Sequence, residues 1–115
     1  MSIKRFHTGP RMSQMVVYNG VAYLAGQVAD NPVADVSAQT TQILAQIDAL
    51  LAEAGTDKSK ILSATIYLAD IGTFAAMNAA WEPWVDQANP PARATVEAKL
   101  AAPEYLVEIQ ILAAV

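Results

Sequence analysis

Asn19-Gly20 sits between Met15-Val16-Val17-Tyr18 and Val21-Ala22-Tyr23-Leu24. Both flanking runs favour strands, and an Asn-Gly link suits a turn with positive φ at both central positions. The pattern predicts a type I′ β-hairpin, so whatever the rest of the chain does must accommodate an antiparallel pair here. Residues 2–7 read as a short edge strand, broken by Gly9-Pro10. Gly26 follows the hairpin directly. A glycine there either ends the strand or lets a backbone or ligand approach closely.

After a loop over Asp30–Asp35, a helix is expected from about Val36 to Ala54. Val36, Ile43, Ile47, Leu50, Leu51 and Ala54 recur at helical spacing, whereas Gln39, Gln42, Gln46 and Glu53 fall largely off that stripe. Asp35 can cap its start and Gly55 its end. From Ile61 to Ala69 the chain alternates Leu62, Ala64, Ile66 and Leu68 against Ser63, Thr65 and Tyr67, the period of a strand. Gly72-Thr73 opens a second helix, with Thr73 as N-cap and Phe74, Met77, Trp81 and Trp84 as its apolar stripe. Pro83 deletes a helical hydrogen bond and should kink or end this helix near Trp81.

Pro90-Pro91 stops whatever precedes it, and strict alternation follows. Arg93, Thr95, Glu97 and Lys99 fall on one face; Ala94, Val96, Ala98 and Leu100 fall on the other. Arg93 is one of three arginines, with Arg5 and Arg11. A guanidinium at the mouth of a strand suits bidentate binding of a carboxylate. The other reading is a strand-edge arginine in a surface ion pair.

A turn over Ala101–Glu104 leads to the last strand, Tyr105–Ala113. Tyr105, Val107, Ile109 and Ile111 share one face, and Glu108 stands mid-strand on the other. A carboxylate among such neighbours is paired, hydrogen-bonded or protonated, unless it simply faces solvent. The order β-β-α-β-α-β-β predicts an α+β fold, both helices on one face of a mixed sheet. Thr65, Tyr67, Arg93, Thr95, Glu97, Glu108 and Gln110 are expected on the opposite face. If the last two strands form a simple hairpin, Arg93 lies opposite Leu112 and Glu108 opposite Glu97. That leaves Arg93 and Glu108 roughly 13 Å apart along the sheet.

A chain of 115 residues fits one domain, residues 1–115. Its net charge of -4 and lack of a basic stripe argue against a nucleic-acid partner. It has no cysteine, which removes disulfides, thiolate metal sites and a cysteine nucleophile. No apolar run approaches a membrane span, and a cytoplasmic protein is expected. His7 is the one histidine, with no nucleophile elbow for a serine triad. No metal-ligand spacing and no phosphate loop is present. Hydrophobic content is 54% against 16% charged, an apolar balance that a partner subunit would cover.

Ala25-Gly26-Gln27, Gln39, Leu51–Gly55, Leu68-Ala69-Asp70, Phe74, Asn78, Trp81, Pro91-Ala92-Arg93 and Val107-Glu108-Ile109 together carry a resemblance. From about Val16 to Ala114 the chain resembles the Rid family, the reactive intermediate deaminases of the YjgF type. The resemblance implies a chorismate-mutase-like fold and a homotrimer with clefts between subunits. It also implies cofactor-free hydrolysis of enamines and imines, such as 2-aminoacrylate and 2-iminobutanoate, to 2-oxo acids and ammonia.

On the matching positions Arg93 looks like the family's carboxylate-binding arginine, and Glu108 like the glutamate that positions a water or shuttles a proton. Gly26, Thr95 and Asn78 match pocket-lining positions, and Trp84 is expected beside them. The chain departs from the archetype at Ala25, where a serine is usual, at Arg11 for a tyrosine, and at Thr95 for a cysteine. Such departures keep a second reading open: a trimeric module that binds a small 2-oxo or amino acid without turnover.

Overall fold

The computed structural model describes residues 2–115. Asn19 and Gly20 both take positive φ, 52° and 79°, and so form the expected tight link between β2 (Met15–Tyr18) and β3 (Val21–Leu24). Strand β1 is shorter than expected, Lys4–Phe6, and pairs with β2. Helix α1 spans Val36–Glu53, β4 spans Ile61–Leu68, α2 spans Phe74–Trp84, β5 spans Ala92–Glu97 and β6 spans Val107–Ala114. One six-stranded sheet has the order β1-β2-β3-β6-β4-β5. Only β4–β5 is parallel, and α2 supplies the crossover that a parallel pair requires.

The helices cover one face of this sheet. Met15, Leu24, Ile66, Leu68, Ile109 and Ile111 from the strands meet Ile43, Ile47, Leu51 and Met77 from the helices in a closed apolar layer. Asp35 caps α1 by accepting from the Ala38 N–H at 2.9 Å. Gly55, at φ 77°, ends it: its N–H reaches Ala52 O and that of Thr56 reaches Leu51 O, a Schellman closure. Thr73 does not cap α2 with its side chain; its hydroxyl donates instead to Asp70 O, and Asp70 accepts from Gly72 N–H. Pro83 lies in the last turn of α2, which stops one residue later, so the proline ends the helix three residues beyond the expected point.

Further expectations need correction. The last two strands are not a hairpin. β6, whose Val107, Ile109, Ile111 and Ala113 are all buried, lies in the sheet interior between β3 and β4, and α2 returns the less apolar β5 to the outer edge of β4. Arg93 pairs beside Ala64 and Thr95 beside Ile66, so these two side chains share the helix-covered face, not the open one. Leu62 is half exposed, because a register shift between Ile61 and Ser63 interrupts the alternation and buries Ile61 in its place.

Gln39, expected off the apolar stripe, is fully buried. Its amide nitrogen, with two N–H groups, serves Pro32 O, Ala34 O and Glu104 O, one hydrogen being shared between two of them, and its oxygen accepts from Leu106 N–H. A buried amide is stable only with its bonds made, and these four sew two loops to α1. With its N–H bonded to Gln39, Leu106 stays outside the ladder, and β6 starts at Val107 instead of Tyr105.

Candidate functional site

Arg93 is positioned by α2. Phe74, Asn78 and Trp81 are four and three residues apart, so all three project from one helix face toward β5. The guanidinium carbon lies 5.6 Å from the Phe74 ring centre and 5.4 Å from that of Trp81. Nη1 donates to Asn78 Oδ1 at 2.7 Å. Cation–π contact and one amide bond hold the fork in place without neutralising it. No carboxylate pairs with it: the one ion pair among the described residues joins His7 to Glu53 at 2.9 Å. The surface-ion-pair reading of Arg93 therefore fails, and its remaining N–H groups have no acceptor among the described residues.

Two residues along β5, the Thr95 hydroxyl is buried with no hydrogen-bond partner. It shares the face of Arg93, beside the outermost edge of the sheet. Trp84, expected with these residues, stands elsewhere. Its indole N–H donates to Asp48 on α1 at 2.9 Å and Lys58 lies over its ring. Its ring meets Trp81 at 5.3 Å, but Phe74 and Trp81 are the aromatics that touch Arg93. The spacing of Phe74, Asn78 and Trp81 carried this arrangement, hidden because an aromatic stripe reads equally as core.

Glu108 is on the opposite face. It pairs beside Tyr67, in the row on the helix-free side, and is half-buried with no hydrogen bond or ion pair among the described residues. A bridge from Gln27 to Ile109, with N···O distances of 2.8 and 3.0 Å, presses Gly26 against it. A Cβ built on Gly26 would overlap Glu108 Oε2 and stand 2.9 Å from Cδ. Glycine is needed here for the space it leaves. A cleft of about 340 Å³ opens beside the carboxylate, lined by Gly26, Tyr67, Lys99, Glu108 and Gln110 among others.

Gly26→Ala is expected to leave the fold intact, since the obstructed atoms end a flexible side chain. It should displace the carboxylate and cut any Glu108-dependent rate by about tenfold or more. An unchanged melting temperature with lost activity is the expected pair of readings.

The sheet register sets how far apart the two groups are. Arg93 is level with Ala64 and Glu108 with Tyr67, three residues along β4 and two strands across. That is about 10 Å along the strands and about 10 Å across them, on opposite faces. One chain thus presents Arg93, Asn78 and Thr95 as one group, and Gly26 and Glu108 as another, with the sheet between them. Among the described residues no helix is long and apolar enough to cross a membrane.

The sequence profile of the family described as Endoribonuclease L-PSP matches residues 2–115. The chain is 50% identical to the RutC family protein YoaB of Escherichia coli over 115 residues, all of both chains. NMB1025 of Neisseria meningitidis, a YjgF-family protein of known crystal structure, superposes with a TM-score of 0.96 at 49% identity, covering 99% of this chain and 95% of that one. YyfA of Yersinia pestis, described as a conserved Rid-family protein of unknown function, gives 0.87 at 36% identity over 94% and 90%.

Proposed function

We propose, from the premise that this chain belongs to the RutC/YjgF family of Rid proteins, that it hydrolyses reactive 2-imino acids to 2-oxo acids and ammonia, at sites completed between copies of a homotrimer. One observation carries this reading. An oriented arginine without a carboxylate and a glutamate without a partner lie on opposite faces of one chain, so only a second copy can bring them together.

The chemistry follows from the two groups. The substrate carboxylate takes two N–H···O bonds from Arg93 of one copy, each charge-assisted. Asn78, Phe74 and Trp81 fix the direction of the fork, so the imine carbon is held at a defined place. Glu108 of the neighbouring copy accepts a proton from a water as the water oxygen bonds to that carbon. The C=N π pair moves to nitrogen, which takes a proton. That proton comes from Glu108; the carboxylate then takes the hydroxyl proton of the carbinolamine and passes it to the same nitrogen, and the C–N bond breaks. Ammonia leaves and the carbon becomes a carbonyl, so water is consumed and no redox partner is required. Two unpaired polar groups supply orientation and proton transfer, the demands of a reaction whose uncatalysed rate is already appreciable.

The test generates 2-iminobutanoate and 2-iminopropanoate in situ and traps surviving imine with semicarbazide. Less trapping with the protein than in a blank is the expected result. Saturable binding of a 2-oxo acid with trapping unchanged would instead select the non-catalytic module. The ribonuclease activity named for the matching family has less support: the chain's net charge is -4, and its single histidine is tied to Glu53.

A further inference from the structure

Lys99 lines the Glu108 cleft from the segment that follows β5. It is exposed and makes no ion pair among the described residues. Glu108 and Lys99 are the only charged residues of that cleft; Tyr67 and Gln110 add a phenol and an amide. The cleft's roughly 340 Å³ falls within the range of small-molecule sites.

A 2-imino acid held through its carboxylate at Arg93 of a neighbouring copy, with its imine carbon at Glu108, has this cleft open to its side chain. Alongside the aliphatic Ala98, Leu100 and Ala101, the cleft holds a free ammonium and two neutral groups able to donate hydrogen bonds to such a side chain.

We propose that Lys99 is a specificity-determining residue, and that the preferred substrates are 2-imino acids whose side chain carries a second carboxylate. The proposal rests on the deaminase reading. The distal carboxylate bonds to the Lys99 ammonium, with Tyr67 and Gln110 beside it, and stays clear of Glu108 because the imine carbon lies between them. An acidic side chain gains a charge-assisted bond that a methyl side chain cannot make.

The test compares the imines formed by amino-acid oxidases from glutamate and from alanine, with the trapping assay and full-length protein. The ratio of kcat/KM, glutamate-derived over alanine-derived, is expected to be about tenfold or more in the wild type. Lys99→Met should lower that ratio by about tenfold. Lys60→Met, which makes the same charge change outside the cleft, should leave it in place.

A wild-type ratio near one, an unchanged ratio in Lys99→Met, or an equal fall in Lys60→Met would overturn the proposal while leaving the deaminase reading standing. Inactivity on both imines would instead sink the deaminase reading. In that case calorimetry with 2-oxoglutarate and pyruvate decides on Lys99: tighter 2-oxoglutarate binding that is lost in Lys99→Met upholds its role, and equal affinities end it.

Discussion

Arg93→Ala is expected to lower kcat/KM for imine hydrolysis by about a hundredfold or more, the largest catalytic effect of any single substitution considered. Two charge-assisted bonds to the substrate carboxylate, each worth about 1.5 kcal/mol at the low end, combine to roughly that factor. The loss should appear for every imino acid, because the anchored carboxylate is common to all of them. Arg93→Lys keeps the charge and still fails. An ammonium has no planar fork to serve Asn78 and a carboxylate together, and it stacks less well between Phe74 and Trp81. Its rate should stay about tenfold or more below wild type. Circular dichroism of both variants checks that the fold survives.

The largest effect on stability should come from Gln39→Ala. The substitution leaves three backbone carbonyls and one N–H without their partner and opens a cavity at a fully buried position. A loss of about 3 kcal/mol is expected, with a fall in melting temperature of roughly 10 °C. Gln42 makes a reciprocal pair of bonds with the Asn31 backbone, but at a partly exposed site. Gln42→Ala should therefore cost about 1 kcal/mol, since water can replace what is lost. Thermal unfolding of the two variants side by side distinguishes them, and equal losses would contradict this account of Gln39.

How far the sequence showed these features depended on whether a feature was local. The Asn19-Gly20 hairpin, the Asp35 cap and the Gly55 closure each depend on a few consecutive residues, and all three form as read. Strand neighbours are not local. The alternation from Arg93 to Lys99 shows that two faces differ, but not which of them meets the helices. That depends on α2 carrying β5 to the far side of β4, and the apolar row Ala94, Val96, Ala98 and Leu100 points the wrong way: Val96 is exposed, whereas Arg93 and Thr95 sit beside the buried Ala64 and Ile66. The apolar row of β6 did hold a clue, since four consecutive inward positions suit a strand flanked on both sides.

Gln39 was illegible for a different reason. A hydrophobic stripe is read from residue type, and a glutamine whose amide is wholly bonded by backbone behaves as core. The separation of Arg93 from Glu108 was the costliest miss. A hairpin placed the pair on one face of one sheet, whereas the true register puts the sheet between them; under the proposed function a second copy completes the site.

Subunit mixing tests most directly whether a second copy completes the site. Arg93→Ala and Glu108→Gln proteins, each inactive alone, are unfolded together, refolded as a mixture and assayed by imine trapping. If each site takes Arg93 from one copy and Glu108 from its neighbour, chance assembly regenerates intact sites at roughly a quarter of the interfaces. Activity should then return to about a quarter of the wild-type level. A mixture as inactive as its two components would mean that both groups must come from the same chain, and would contradict the account.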